Sequence, residues 1–317
     1  MFYFAAMKQM QAIVYKSTGS WYLVRTEDGK MHPARIRGHF KMEGISSTNP
    51  IAVGDEVLVE IEDLPETTVT ISDILPRKNY VIRQSPHSKR QHHIIAANLD
   101  QSMVFITLRE PRTSQGFVDR FLVSCEAFHV PAILVFNKVD VYRAKEMQQL
   151  EDWKAMYTEI GYQVLVTSTV TEEGLDDLKA ALVHKKTLLS GHSGVGKSSL
   201  MNVLFPELEL RTAAVSEWSG KGMHTTTFAE MHDLPNGGCV IDTPGVREFG
   251  IVGIEPEELS HYFPEMRDRI NNCQFNNCQH LHEPGCAIKA AIESGEIAMQ
   301  RFESYLNIHA SMEKPGY

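Results

Sequence analysis

The residues Gly191, His192, Ser193, Gly194, Val195, Gly196, Lys197 and Ser198 are consecutive, and their types suit the binding of phosphate. Glycines at this spacing let the backbone wrap an anion with successive N–H groups turned inward. The lysine then reaches the β- and γ-phosphates, and the serine hydroxyl coordinates magnesium. Ser199, next in the chain, is taken as a further nucleotide contact. A second constellation, Asn137-Lys138-Val139-Asp140, suits a purine base. A carboxylate at the end of a strand accepts from both N1–H and the 2-amino group of guanine. Adenine lacks that pair of donors, so Asp140 is expected to select GTP over ATP. Ser168 is the expected second contact to the base.

Two further segments belong to the same chemistry. In Gly238–Gly245, Asp242 ends an apolar run and is placed to hold magnesium through water, while Gly245 offers an N–H to the γ-phosphate with no side chain in the way. In Gly222–Thr227, either Thr225 or Thr226 is expected to close onto the magnesium, Thr226 being preferred; a plain strand start is the competing reading. Lys197, His224, Thr226 and Gly245 make up the expected catalytic set. Val246 follows Gly245, where a glutamine would orient the attacking water, and valine cannot. His224 is the nearest candidate for that task, against the alternative of a surface histidine with no such role.

The positioning elements are legible around these residues. The run 131–136 before Asn137 is apolar, as in a parallel strand covered on both faces. Residues 186–190 read as a short buried strand entering the phosphate loop, and 198–204 as the first turns of a helix whose N-terminus faces the anion. Residues 164–169 form another expected strand, with a helix opening near Glu172. The base-recognising motif precedes the phosphate loop, the reverse of the ordinary order, so the domain reads as a circularly permuted P-loop GTPase with a mostly parallel sheet and helices on both faces.

Of the five cysteines, Cys125 falls in an apparent helix and Cys239 in a buried strand, the places of inert core thiols. Cys273, Cys278 and Cys286 cluster with His280, and three thiolates with one imidazole suit a closed, structural, tetrahedral zinc site. His282 is an alternative to His280. Pro284-Gly285 would turn the chain back to the last ligand. Helices are expected from Ala287 and over 297–308. Disulfides are disfavoured because nothing suggests secretion and an odd count strands one thiol.

The first seventy-five or so residues alternate apolar and polar over 19–25 and 55–61, with turn residues at Asp28-Gly29, Asn49-Pro50 and Gly54-Asp55. Short strands at this spacing suggest a small barrel, for which an OB-fold-like barrel is the best fit and other small barrels are alternatives. The domain boundaries expected are 1–75 for the barrel, 76–254 for the GTPase domain and 255–317 for a helical zinc-binding domain, a multi-domain α/β chain.

A net charge of −9 argues against general affinity for nucleic acid, but the charges are unevenly placed. Lys30, Arg35, Arg37 and Lys41 follow one another with no acid between them; acids then run from Glu43 to Asp73; Arg77, Lys78, Arg83, Lys89 and Arg90 come next. A barrel with one basic face and with Trp21 and Tyr22 nearby suits phosphate neutralisation and base stacking, against the alternative of a solvated face. No run of apolar residues is long enough to span a membrane. The apolar start, Met1–Met7, is too short and lacks the basic lead of a signal peptide, and is not read as one; a start-site extension is the alternative, with Met7 or Met10 as start residues in place of Met1.

These motifs in this order resemble the circularly permuted GTPases of ribosome assembly, the small-subunit-dependent RsgA/YjeQ family. The resemblance extends to both flanks, in 77–83, in 95–101 and in the cysteine cluster. It implies a cytoplasmic GTPase that hydrolyses GTP to GDP and phosphate, is stimulated by the small (30S) ribosomal subunit, binds 16S rRNA and is released on hydrolysis during late subunit maturation. It also fits one zinc ion and magnesium with the nucleotide; no repeat or coiled-coil seam suggests other than a monomer. The Thr167-Ser168-Thr169 run departs from the family's more typical Ser-Ala. The permutation routes the chain beyond Gly245 toward the cysteine cluster, so ordering around a γ-phosphate would pull on that module. A GTP-gated RNA-binding module with incidental hydrolysis is the second reading that Val246 keeps open.

Overall fold

The computed structural model describes residues 8–36, 50–61, 68–85, 88–210, 229–242 and 251–313, apart from the side chains of residues 8, 83–92 and 313. Along the chain the strands are β1 Lys8–Ser17, β2 Tyr22–Thr26, β3 Met31–Ile36, β4 Glu56–Ile61, β5 Val69–Ile74, β6 Tyr80–Ser85, β7 Ser88–Ala97, β8 Gln101–Ile106, β9 Ala132–Asn137, β10 Gln163–Thr167, β11 Lys186–Ser190, β12 Glu230–Asp233 and β13 Cys239–Asp242. The helices are α1 Gln115–Ala127, α2 Ala144–Ile160, α3 Leu175–Ala181, α4 Lys197–Leu204, α5 Pro264–Arg267, α6 Ala287–Glu293 and α7 Met299–Glu313. Described residues group into two compact units, one within Met1–Ser102, Leu178–Ser190 and Ser198–Val246, the other within Met103–Asp177, Gly191–Lys197 and Arg247–Tyr317.

In the first unit, β1, β2, β3, β5 and β4 pair in that order, and β4 pairs back onto β1, closing a five-stranded barrel. All pairs are antiparallel except β3 with β5. Alternation drives it: β2 turns Tyr22, Val24 and Thr26 inward, against Ala12, Val14, Val57, Val59 and Ile71. Strand β1 serves two neighbours. Its first half pairs with β4, from Lys8↔Ile61 to Ile13↔Glu56, and past an irregularity at Val14/Lys16 it reaches β12 at Lys16↔Glu230. Polar clasps hold that junction. Lys16 Nζ donates to Glu230 at 2.7 Å, and Asp233 accepts from the Tyr15 hydroxyl at 2.8 Å and from Arg25 at 2.6 Å. Burial, followed by the neighbouring Asp233, pushes the Tyr15 phenol well above its ordinary value. In the same unit β13 lies parallel to β11 and antiparallel to β12.

The basic residues of the barrel region have varied fates. Arg77 is buried, not displayed: it donates through Nε and Nη2 to both oxygens of buried Asp55, each at 2.6 Å, and to the Pro50 carbonyl. Lys78 pairs with Asp100. Arg35 lies over the ring of exposed Trp21 at 3.6 Å, a cation–π contact on the barrel surface. Arg37 and Lys41 lie outside the described residues, as do the side chains of Arg83, Lys89 and Arg90.

In the second unit, β10 and β9 are parallel, from Gln163↔Ile133 to Thr167↔Asn137. Helix α1 starts at Ser114, whose hydroxyl accepts from the Phe117 N–H, and α2 at Arg143, whose N–H is received by Glu146; Gly161 ends α2 at a φ of 109°. Helix α3 begins at Leu175, later than the sequence suggests, because Glu172 and Gly174 are left-handed. A Cβ on Gly174 would stand 1.9 Å from the Val166 carbonyl oxygen, so glycine is required there. Helix α7 likewise begins beyond Ile297, since the N–H groups of Glu296 and Ile297 turn back to the Ala291 carbonyl to close α6. Phe263, Met266, Ile288, Tyr305 and Ile308 form the apolar core of this C-terminal helical module, and Val123 of α1 belongs to the same cluster. Among the described residues no helix is long and apolar enough to cross a membrane.

Candidate nucleotide site and metal-ligand cluster

The phosphate loop leaves β11 and enters α4. Gly191, Gly194 and Gly196 all have positive φ, which turns the backbone of the loop in a way side-chain-bearing residues resist. Lys197 folds back on the loop, its Nζ donating to the carbonyls of Gly191 at 2.7 Å and His192 at 3.1 Å. Ser193 and Gly194 are exposed and Val195 is buried; Ser199, in the other unit, is exposed. His192 stacks against Phe117 of α1, ring centroids 3.9 Å apart.

Asn137 ties the two recognition segments together. Its Nδ2 donates to the Val195 carbonyl at 2.9 Å and its Oδ1 accepts from the Thr167 hydroxyl at 3.0 Å. The side chain is almost wholly buried, so it acts as scaffold for the base and phosphate loops together. Lys138 is left-handed and its Nζ donates to the Glu110 carbonyl at 3.1 Å. Tyr142 closes the turn behind it, donating to the Asn137 carbonyl and accepting from the Leu108 N–H; burial pushes its phenol up to about 12.

Asp140 is exposed, with Val139 buried beside it. One Asp140 oxygen accepts from the buried Ser168 hydroxyl at 2.6 Å. Ser168 Oγ in turn accepts from the N–H groups of Val170 and Thr171, which fixes its own proton toward Asp140. The pair thus presents one oriented carboxylate oxygen outward, an acceptor array suited to adjacent N–H donors on a purine.

In the other unit, Asp242 ends β13 level with Leu189 of β11, and Ser198 lies in the first turn of α4. Both supply hard oxygen donors, the kind magnesium takes. His224, Thr225, Thr226, Gly245 and Val246 lie outside the described residues.

Cys273, Cys278, His280 and Cys286 offer ligand atoms that all lie within 4.8 Å of one another. Two hairpin contacts bring them together. The Gln274 N–H donates to the Gly285 carbonyl at 3.0 Å, setting Cys273 beside Cys286, and Glu283 accepts from the N–H groups of Gln279 and His282. Left-handed His280 turns Nδ1 toward Cys286 Sγ at 3.3 Å and Cys273 Sγ at 3.7 Å. His280, not His282, joins the thiols. Burial lowers the His280 pKa, favouring the neutral imidazole a metal needs, and pushes the Cys278 thiol up to about 12. Three thiols, one buried and two partly buried, gathered with a neutral imidazole fit a tetrahedral thiophilic ion such as zinc.

Sequence reasoning did not single out the Glu110 carbonyl, Tyr142 or Phe117. Lone aromatics such as Tyr142 and Phe117 carry no local pattern that marks a role, and a main-chain contact leaves no side-chain signal.

A phosphate loop, an exposed carboxylate oriented by Ser168, and the order in which they occur fit a circularly permuted P-loop GTPase. Residues 74–252 match the RsgA GTPase family and residues 11–69 the RsgA N-terminal domain. The chain belongs to the RsgA/YjeQ family of GTP hydrolases. A Bacteroides fragilis protein described as small ribosomal subunit biogenesis GTPase RsgA is 48% identical over 97% of this chain and 99% of its own length. A Cytophaga hutchinsonii protein of the same description is 51% identical over 94% and 97%. Among solved structures, YjeQ from Thermotoga maritima superposes with a TM-score of 0.77 at 33% identity, covering 96% of this chain and 99% of that one. YloQ, described as a circularly permuted GTPase, gives 0.72 at 29% identity over all of both chains.

Proposed function

We propose that this chain hydrolyses GTP to GDP and phosphate as a late maturation factor of the small (30S) ribosomal subunit, binding 16S rRNA and leaving when the nucleotide is cleaved. What carries the reading is 48% and 51% identity, over 97% and 94% of the chain, to relatives described as small ribosomal subunit biogenesis GTPases. The barrel surface around Arg35 and Trp21 supports an RNA-facing role.

Asp140, backed by Ser168, selects guanine, with Asn137, Lys138 and Val139 shaping its loop. Backbone N–H groups from Gly191 to Ser199, including His192, Ser193, Gly194, Val195 and Gly196, cradle the phosphates, and Lys197 neutralises them. Ser198, Asp242 and Thr226 hold magnesium, which when bound neutralises the β- and γ-phosphate oxygens. Gly245 donates to the γ-phosphate, and His224 orients water in place of the glutamine that Val246 displaces. Cys273, Cys278, His280 and Cys286 hold one structural zinc. The working domains are 1–75, 76–254 and 255–317, acting in the cytoplasm as a monomer.

The test is GTP turnover by purified protein with and without isolated small subunits, using ATP and large subunits as controls. Turnover should rise strongly only with GTP and small subunits. Nucleotide-dependent subunit binding without any rise in turnover would replace the enzyme reading with a GTP-gated binding module.

A further inference from the structure

Helix α1 touches the phosphate loop at one end and the C-terminal module along its length. Phe117, in its first turn, meets His192 with ring planes inclined by 32°. Asp119, two residues on, is fully buried; it accepts from the Tyr157 hydroxyl of α2 at 2.7 Å and from Arg301 of α7. Arg301 is fully buried as well. It donates to both oxygens of Glu265 in α5, at 2.7 and 3.3 Å, with its guanidinium 4.6 Å from the Phe263 ring. One guanidinium therefore serves two carboxylates from different elements, and the second Asp119 oxygen has no hydrogen-bond partner among the described residues. Farther along α1, Val123 enters the module's apolar core and Glu126 accepts from Arg267.

Such an arrangement is stiff. A buried ion pair tolerates little displacement, because its charges have no water to fall back on, and a packed ring pair slides only by repacking its neighbours. Motion of the phosphate loop at His192 must then either break the stack or carry α1 with it. Carrying α1 moves the triad, and with it α5 and α7.

We propose that α1 is a lever between the phosphate loop and the Cys3His module: Phe117 positions the loop through His192, and the Asp119–Arg301–Glu265 triad sets where the lever rests. This rests on the reading of the loop as a guanine-nucleotide site. It adds a packed route to the one that runs along the chain beyond Gly245. Coupling of this kind is reciprocal: whatever the nucleotide does to the module, the module does to nucleotide affinity.

The experiment uses the full metal-loaded chain and a fluorescent GDP analogue. Affinity is measured for wild type, Phe117→Leu, Arg301→Lys, the double variant, and Tyr157→Phe, which removes only the hydroxyl that donates to Asp119. Metal content is measured for each, and amide exchange across residues 299–313 is followed with and without GDP. GDP is expected to slow exchange in α7 of wild type. Phe117→Leu should abolish that protection, and each single variant should weaken GDP binding by about five-fold or more with metal retained. The double variant should lose less than the product of its parents. If Arg301→Lys does not fold, Tyr157→Phe carries the test. Exchange in α7 that ignores GDP, or folded variants that bind GDP like wild type, would overturn the lever. Wild type that binds no guanine nucleotide would sink the site reading and the lever together.

Discussion

Exchanging Asp140 for asparagine should do more than weaken nucleotide binding; it should redirect it. Ser168 Oγ already accepts from two backbone N–H groups, so its proton is committed to Asp140 Oδ1 at 2.6 Å. In Asp140→Asn the amide oxygen must take that position, since an NH₂ there would face another donor. The NH₂ therefore replaces Oδ2, on the side offered to the base. Guanine would present donors to a donor. Xanthine carries a carbonyl in place of the 2-amino group and would accept from it. Two hydrogen bonds to a charged acceptor are worth about 1.5–3 kcal/mol each. Asp140 is exposed, so the lower end applies, about 3 kcal/mol or roughly a hundred-fold in Kd for GDP. Competition of GDP, XDP and ADP against a fluorescent nucleotide reads this directly. A variant that keeps its guanine preference, or that gains nothing for xanthine, would refute both the base assignment and the fixed serine proton.

Other outcomes follow from the same geometry. Gly196→Ala would put a Cβ 2.6 Å from Asn137 Nδ2 at a φ of +92°; it should break the bond to Val195 and weaken GDP binding by about ten-fold or more, with the melting temperature showing whether the fold persists. Chelation should remove the C-terminal metal more readily as pH falls, because protons compete for the thiolates and burial already favours the protonated Cys278 thiol; a chromophoric chelator followed from pH 8 to 5 measures it, and release independent of pH would contradict it. Burial opposes ionisation of Asp100, but Lys78 and the Lys186 N–H outweigh it and hold the carboxyl below its ordinary value. A depressed folded pKa contributes stability fully above the unfolded value and loses it as pH falls through the folded one. The stability gap between wild type and Asp100→Asn, read by urea titration, should thus be full near neutrality and close below about pH 4.

The strands that carry the motifs were legible because their composition is local. Residues 132–136 are an apolar run and residues 186–190 a largely buried strand around Leu188 and Leu189, and each leads directly into its motif. The Cys3His spacing was legible for the same reason, as the ligands lie within one loop and the start of α6. Long-range pairing was not. Arg77 read as part of a basic surface, yet Asp55 and the Pro50 carbonyl bury it. Arg301 sits within a stretch read simply as a helix, and no local pattern shows that Asp119 and Glu265 wait for it. Helix starts shifted at Leu175 and Met299 because turn hydrogen bonds, invisible to periodicity, took the preceding residues.

The buried triad also bears on how the chain reaches its fold. Asp119 and Arg301 are 182 residues apart, whereas Asp119 and Tyr157 are separated by 38. During synthesis α1 emerges early, with a carboxylate meant for the interior and Val123 meant for a core whose other members come much later. Closing so long a loop is slow. Until residue 301 arrives, the chain holds an uncompensated charge beside uncovered apolar surface, the kind of intermediate that associates wrongly with its neighbours. The interlock that stiffens the finished protein can thus close only after residue 301 has been made, and the interval before then is when a growing chain most needs shielding.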